Sequence, residues 1–159
     1  MRKFEAISYE QYEKDLKGKC LYSDIKLPAR STKHAAGYDF KSPISFVLKP
    51  GEIIKVPTGI KADMNNDEFL SIHVRSSMGF KYNVRLCNQT GIIDSDYYNN
   101  QDNEGHIYVA LQNEGTKDFE VEKGDKIAQG IFMKYLVVED EEDVLRTRSG
   151  GIGSTGRGE

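Results

Sequence analysis

The chain has 159 residues, enough for one domain with a real core, and a formal net charge of -3, which leaves no basic footprint for nucleic acid. No apolar run approaches the length of a membrane span. Two cysteines, Cys20 and Cys87, lie far apart with no Cys-x-x-Cys, which argues against a structural zinc site and fits a reducing cytoplasm.

Taken in order, Met1 to Glu5 carries acid at once and leads into no apolar segment, so no signal peptide is expected. Ser8-Tyr9-Glu10-Gln11 reads as a capping box in which the Ser8 hydroxyl accepts a free backbone N–H and Gln11 reaches back. Tyr9, Tyr12 and Leu16 then share a helical face, and Gly18 ends a short helix over about residues 8–17, an N-terminal appendage. His34-Ala35-Ala36-Gly37-Tyr38-Asp39-Phe40 combines small residues that allow close packing with an acid at a strand start.

Short strands and turns follow. Ile44, Phe46 and Leu48 alternate, Lys49-Pro50-Gly51 turns, residues 52–56 form a strand, and Pro57-Thr58-Gly59 breaks it. Leu70, Ile72 and Val74 alternate against Ser71, His73 and Arg75. Residues 107–111 and 131–138 are further strand candidates. This rhythm, without repeats or a βαβ pattern, predicts an all-β fold, a jelly-roll-like barrel or sandwich over residues 1–138. Residues 139–143 are an acidic, solvated linker. The rest of residues 139–159 is a glycine-rich arm that does not fold alone.

Gly91-Ile92-Ile93-Asp94-Ser95-Asp96-Tyr97 is the stretch around which chemistry gathers. Ile92 and Ile93 read as the end of a buried strand, so Asp94 falls at the edge of apolar surface, where a carboxylate can act as a base toward water, with the Tyr97 ring beside it. The stretch reads equally as a polar hairpin tip. Residues 98–105 read as an exposed polar loop between strands.

Three other pieces suit a phosphorylated ligand. Arg75-Ser76-Ser77-Met78-Gly79 follows a strand and offers a guanidinium with hydroxyls. Gly124-Asp125-Lys126-Ile127-Ala128-Gln129 sets an amide, Gln129, among small and apolar residues. The tail around Arg148 and Gly150 to Gly156 can wrap N–H groups and hydroxyls round an anion, though it is no Walker A loop. Asp39 and Asp94 could face a hydrated magnesium ion or a water. Taken singly, Arg75 reads as a strand-end salt bridge, Gln129 as an edge residue and the tail as a disordered end.

In this order the pieces closely resemble the five motifs of the trimeric dUTPase family: Ala36 to Asp39, Arg75 to Gly79, Asn88 through Gly91 to Tyr97, Gly124 to Gln129, and Gly150 to Gly156. The resemblance implies a jelly-roll-like homotrimer with three shared sites, each closed by the arm of a neighbouring chain. It implies hydrolysis of dUTP to dUMP and pyrophosphate with Mg2+ on the triphosphate. Asp94 would activate the water that attacks the α-phosphate. Asn88 and the backbone around Gly91 would read uracil, and Tyr97 would pack on the deoxyribose. Arg75, Ser76, Ser77 and Gln129 would hold phosphates, Asp39 would sit near the metal waters or support the interface, and Arg148, Ser154 and Thr155 would clamp the outer phosphates.

Some features depart from the family pattern. Ile152 stands where most members have phenylalanine, leaving Tyr98, Tyr108 and Tyr82 as candidates to cap the base. Arg148, with Arg146 as runner-up, is out of the usual register. The 98–105 loop is long and the N-terminal helix is extra. The non-aromatic tail resembles the branch from Gram-positive bacteria and their phages. Three rivals remain: a dCTP deaminase-like enzyme of the same fold, which would release ammonia, a protein-binding regulatory module on this scaffold, and a small β protein with no enzymatic role.

Overall fold

The structure, a computed structural model, describes residues 1–141, 148 and 150–152. Expectations for Arg146, Ser154, Thr155 and the rest of the glycine motif lie outside the described residues.

Eleven strands and two α-helices are present among the described residues. One sheet has four strands in the order β2 (Tyr38–Lys41), β11 (Lys126–Lys134), β6 (Glu68–His73) and β8 (Gly91–Asp94). A second has three, β4 (Ile53–Pro57), β9 (Tyr108–Asn113) and β7 (Val84–Leu86). Two antiparallel pairs complete the body: β1 (Lys3–Ala6) with β5 (Ile60–Asp63), and β10 (Phe119–Val121) with β3 (Phe46–Leu48). The result is sandwich-like and all-β, as expected, without closing into a barrel.

Period-two alternation builds the core. Along β9, Val109, Leu111 and Asn113 point inward while Tyr108, Ala110 and Gln112 are partly exposed on the other face. Val109 and Leu111 meet Phe40, Leu70, Ile72, Leu86 and Ile127, all essentially buried. Each such side chain contributes roughly 1.5–3 kcal/mol of burial free energy. Gly130 lies where a Cβ would come within 2.9 Å of the Phe40 ring and 3.0 Å of Leu70, so the sheet packs there only because that position has no side chain.

Several expectations need correction. The N-terminus is no appendage, because β1 pairs with β5 along its whole length. Helix α1 (Tyr9–Asp15) docks through buried Ile7, Tyr12 and Leu16. Its seven residues could not persist alone. Half of the capping box is present: the Ser8 hydroxyl accepts from the Gln11 N–H at 3.1 Å. The Gln11 side chain instead donates to Asp15, and Glu104, far along the chain, accepts the Ser8 N–H. Arg75-Ser76-Ser77 leads into a second helix, α2 (Ser76–Tyr82), whose Met78 is buried and whose C-cap, Asn83, is left-handed at φ 53°. The last strand spans Lys126–Lys134, earlier than expected, and Tyr135 to Val138 lie exposed beyond it. Ile92 is 55% exposed because β8 is an edge strand with one face open.

The 98–105 loop is also no loose excursion. Asn100 is 7% exposed; its amide donates to the carbonyl of Tyr97 and to Asn103, and its oxygen accepts the N–H groups of Asp102 and Asn103. Asparagines satisfy the polar backbone from within, which lets a hydrophilic segment pack closely. Glu104 then binds Lys61 and Ser8; burial pushes its carboxyl up, but these partners hold it below the ordinary range. Gly105 closes the loop at φ +82°, where a Cβ would sit 2.7 Å from the Tyr97 carbonyl oxygen. Gly105→Ala is therefore expected to cost about 2 kcal/mol or more, read as a lower midpoint in thermal or urea unfolding.

No described helix is long and apolar enough to cross a membrane. Both cysteines are unpaired and half-buried, as expected for plain thiols.

Candidate active site

The two larger sheets meet at a cleft of about 490 Å³. Edge strand β8 supplies Gly91, Ile92, Ile93 and Asp94 along one side, with Asn88 at its entry and Tyr97 just beyond it. β8 pairs with β6 on one edge only, so backbone groups on the other edge are free to meet a ligand. The other side comes from outward positions of β4 and β9: Lys55 faces Ala110 in register, and Tyr108 follows two residues before Ala110. Gly91 keeps the floor close, since a Cβ there would lie 3.0 Å from Ile72.

Asp94 stands at the rim, its side chain 51% exposed. The Arg148 guanidinium donates to Asp94 at 3.0 Å and to Asp96 at 3.1 Å, and lies 5.5 Å from the centre of the Tyr97 ring. The described part of the arm thus rests on its own chain's cleft: Ile152 lines it and the Gly151 N–H donates to Asp102. Tyr97 is 6% exposed and doubly fixed, its hydroxyl donating to the His106 carbonyl at 2.9 Å and accepting from Asn103 at 2.7 Å. Burial raises its phenol above the usual value, against the pull of Asn103 and Arg148. Of the three candidate capping tyrosines, Tyr108 lines the cleft. Tyr98 bonds Glu5, and Tyr82 packs on Phe119.

The second group of expected residues lies elsewhere. A hollow of about 400 Å³ is lined by Arg75, Ser77, Lys41, Gly124, Asp125 and Lys126, with Met78 and the β10 strand beneath. Three cations in one hollow suit a polyanion. Ser76 is exposed on the first turn of α2 beside it. Asp39 is buried between two of these cations, 3.1 Å from Arg75 and 2.9 Å from Lys126, and accepts from Ser31. Burial pushes the Asp39 carboxyl up, yet Ser31, Lys126 and Arg75 outweigh it and hold it below the ordinary range. With both oxygens engaged, Asp39 is better placed to aim Arg75 and Lys126 than to face metal waters. Gln129 pairs across the sheet with Asp39 and with His73, and its amide donates to the Val74 carbonyl. Gly37 permits this: a Cβ there would come 2.4 Å from the Gln129 side-chain oxygen.

Sequence reasoning missed Lys41, Lys55, Asp15 and His106, and it quoted Lys126 within the Gly124 to Gln129 stretch without giving it a role. Lys41 and Lys126 face each other in the β2–β11 register, which strand pairing alone could have revealed. Nothing local marks Asp15 or His106, since they meet across 91 residues.

The comparisons agree on one family. The sequence profile of the dUTPase family matches residues 23–156. The deoxyuridine 5'-triphosphate nucleotidohydrolase of Lactococcus lactis is 45% identical over 133 residues, covering 83% of this chain and 89% of that protein. That of Desulfitobacterium hafniense is 36% identical over 138 residues, covering 82% and 87%. The crystal structure of dUTPase from Streptococcus mutans superposes with a TM-score of 0.71 at 38% identity, covering 86% of this chain and 98% of that one. A dUTPase from phage phi11 of Staphylococcus aureus, in which a structural Mg(II) ion is coordinated, shares the fold at a TM-score of 0.68 and 18% identity, covering 91% and 97%.

Proposed function

The chain belongs to the dUTPase family, and from that premise we propose that it hydrolyses dUTP to dUMP and pyrophosphate at a site built from both hollows. The observation that carries this reading is the cleft itself: an accessible carboxylate, Asp94, at the rim of a pocket walled by a buried tyrosine and an unpaired strand edge. Asn88 and the free edge beside Gly91 read the uracil, because a pyrimidine with the opposite donor pattern leaves polar groups unpaired. Tyr97 packs on the deoxyribose and leaves no room for a 2′-hydroxyl. Asp94 takes a proton from the water that attacks the α-phosphate. Arg75, Ser76, Ser77 and Gln129, with Lys41 and Lys126, hold the charge that the triphosphate carries and develops.

Magnesium carried by the triphosphate would supply charge neutralisation at the phosphates. Among the described residues no cluster of three or more acids, histidines or cysteines offers a protein-only cage, and Asp39 already has two cations. This donor set suits a metal carried by the nucleotide.

Among the described residues, the two hollows share none in their linings. We propose that a neighbouring chain brings its Arg75 hollow to each Asp94 cleft in a homotrimer. The run of exposed apolar residues at Met133, Tyr135, Leu136, Val137 and Val138 supports association, since exposed apolar surface is what an interface covers. The arm completes the site. Arg148, which donates to Asp94 and Asp96, moves to the more highly charged triphosphate, which frees Asp94 as base; Ser154 and Thr155 add hydroxyls. Deleting residues 146–159 should lower kcat/KM for dUTP by at least about 100-fold, read by pyrophosphate release, with the unfolding midpoint unchanged. Loss of the folded body on truncation would make the arm structural instead.

The whole reading is tested by supplying dUTP, dCTP, UTP and dTTP in turn with magnesium and following pyrophosphate and ammonia together. Pyrophosphate from dUTP alone is the expected result. Ammonia from dCTP, or no product from any nucleotide, would reject it.

A further inference from the structure

Helix α1 precedes the residues that the family profile matches, yet one of its side chains reaches beneath the substrate cleft. Asp15 accepts from His106 Nδ1 at 2.6 Å, and Gln11 holds it in place at 2.8 Å. His106 is fully buried. The Gly59 N–H, which can only donate, reaches its Nε2 at 2.8 Å, so Nε2 is the acceptor and Nδ1 carries the proton given to Asp15. The imidazole is therefore fixed at both nitrogens. Its backbone carbonyl is the acceptor for the Tyr97 hydroxyl. The rings of His106 and Tyr108 also pack at 4.3 Å. One carboxylate thus bears on both aromatic walls of the cleft through His106: Tyr97 by its bond to the His106 carbonyl, Tyr108 by ring packing on the imidazole.

We propose that Asp15 is a positioning residue for sugar selection: it sets Tyr97 and Tyr108 at the spacing that admits a 2′-deoxyribose and rejects a ribose. The inference rests on Tyr97 being the sugar wall of a dUTP site. Aromatic side chains reject an extra hydroxyl only if they cannot recede, and rigid supporting hydrogen bonds are what prevent receding. Asp15 touches no substrate, so its loss loosens ground-state fit rather than chemistry.

The test compares kcat/KM for dUTP and for UTP in the intact wild-type chain and in Asp15→Ala and Asp15→Asn. In Asp15→Ala the preference for dUTP should fall about tenfold, through a raised KM for dUTP and faster use of UTP, with kcat on dUTP within about threefold of wild type. Asp15→Asn keeps the shape and one acceptor for His106, and should restore the preference to within about twofold. An unchanged preference in Asp15→Ala, in a wild type that does discriminate, overturns this inference alone. A wild type that uses UTP as readily as dUTP overturns the reading of Tyr97 and this inference with it. If Asp15→Ala yields no folded protein by circular dichroism, the same ratio is read in Tyr97→Phe, which keeps the ring and removes the hydroxyl anchored on the His106 carbonyl; a fall of about threefold supports the inference and no fall overturns it.

Discussion

Asp94→Asn is expected to lower kcat on dUTP by about 1,000-fold or more while a non-hydrolysable dUTP analogue binds within a few-fold of wild type. A general base contributes roughly 100- to 10,000-fold, and the amide cannot take the proton from water. Binding and folding should survive for separate reasons. The Asp94 backbone pairs with Phe69 at the end of β8, and that pairing does not depend on the side chain. The side chain is half-exposed, and its contact with Arg148 is a rim ion pair of the kind worth little to stability. Asparagine keeps the volume and one acceptor oxygen. Losing the carboxylate also weakens the resting place of Arg148, so analogue affinity should, if anything, rise slightly. Single-turnover rates and equilibrium binding separate these effects. A variant with near wild-type turnover would remove Asp94 from the role of base.

The parts of this site that were legible in sequence are those that local chemistry dictates. Gly91 through Tyr97 combines a glycine, two β-branched residues and two acids, and it folds as a strand running to a rim, with Asp94 where a strand-end carboxylate should be. Gly37 beside Tyr38 and Asp39 signalled close packing, and Gln129 fills the space that Gly37 leaves. What was not legible depends on partners distant in the chain. Ile92 reads as core by type but is exposed, because only the pairing order makes β8 an edge with an open face. Residues 98–105 read as solvated, because polar composition does not disclose that Asn100 and Asn103 satisfy each other and then Tyr97. The short helix read as an addition for the same reason: the destination of its Asp15, His106, is set by tertiary packing. Propensity and motif find the reacting groups; pairing order and long-range hydrogen bonds decide what aims them.

Asp94→Asn and Arg75→Ala should each be nearly inactive alone, and co-assembled in equal amounts they should recover about a quarter of wild-type activity. The expectation follows from register. On β6, His73 faces Gln129 and Phe69 faces Asp94, so the two side chains stand four residues apart along one strand, roughly 13 Å. Arg75 lies two residues farther, about 20 Å in all. The α- and γ-phosphates of one nucleotide are separated by only a few bonds, so this spacing favours taking Asp94 from one chain and Arg75 from another. If the halves of each site come from different chains, a mixed trimer builds some sites from the intact Asp94 of one variant and the intact Arg75 of the other. Random assembly gives each intact half with a chance of about one in two, hence the quarter. Sites contained within one chain would recover nothing, since every chain carries one lesion. The readout is pyrophosphate release from dUTP after co-expression, with each variant alone as the baseline. Recovery of activity would establish shared sites; its absence in a trimer of proven mixed composition would show that each chain closes its own site, with the arm bridging the two hollows.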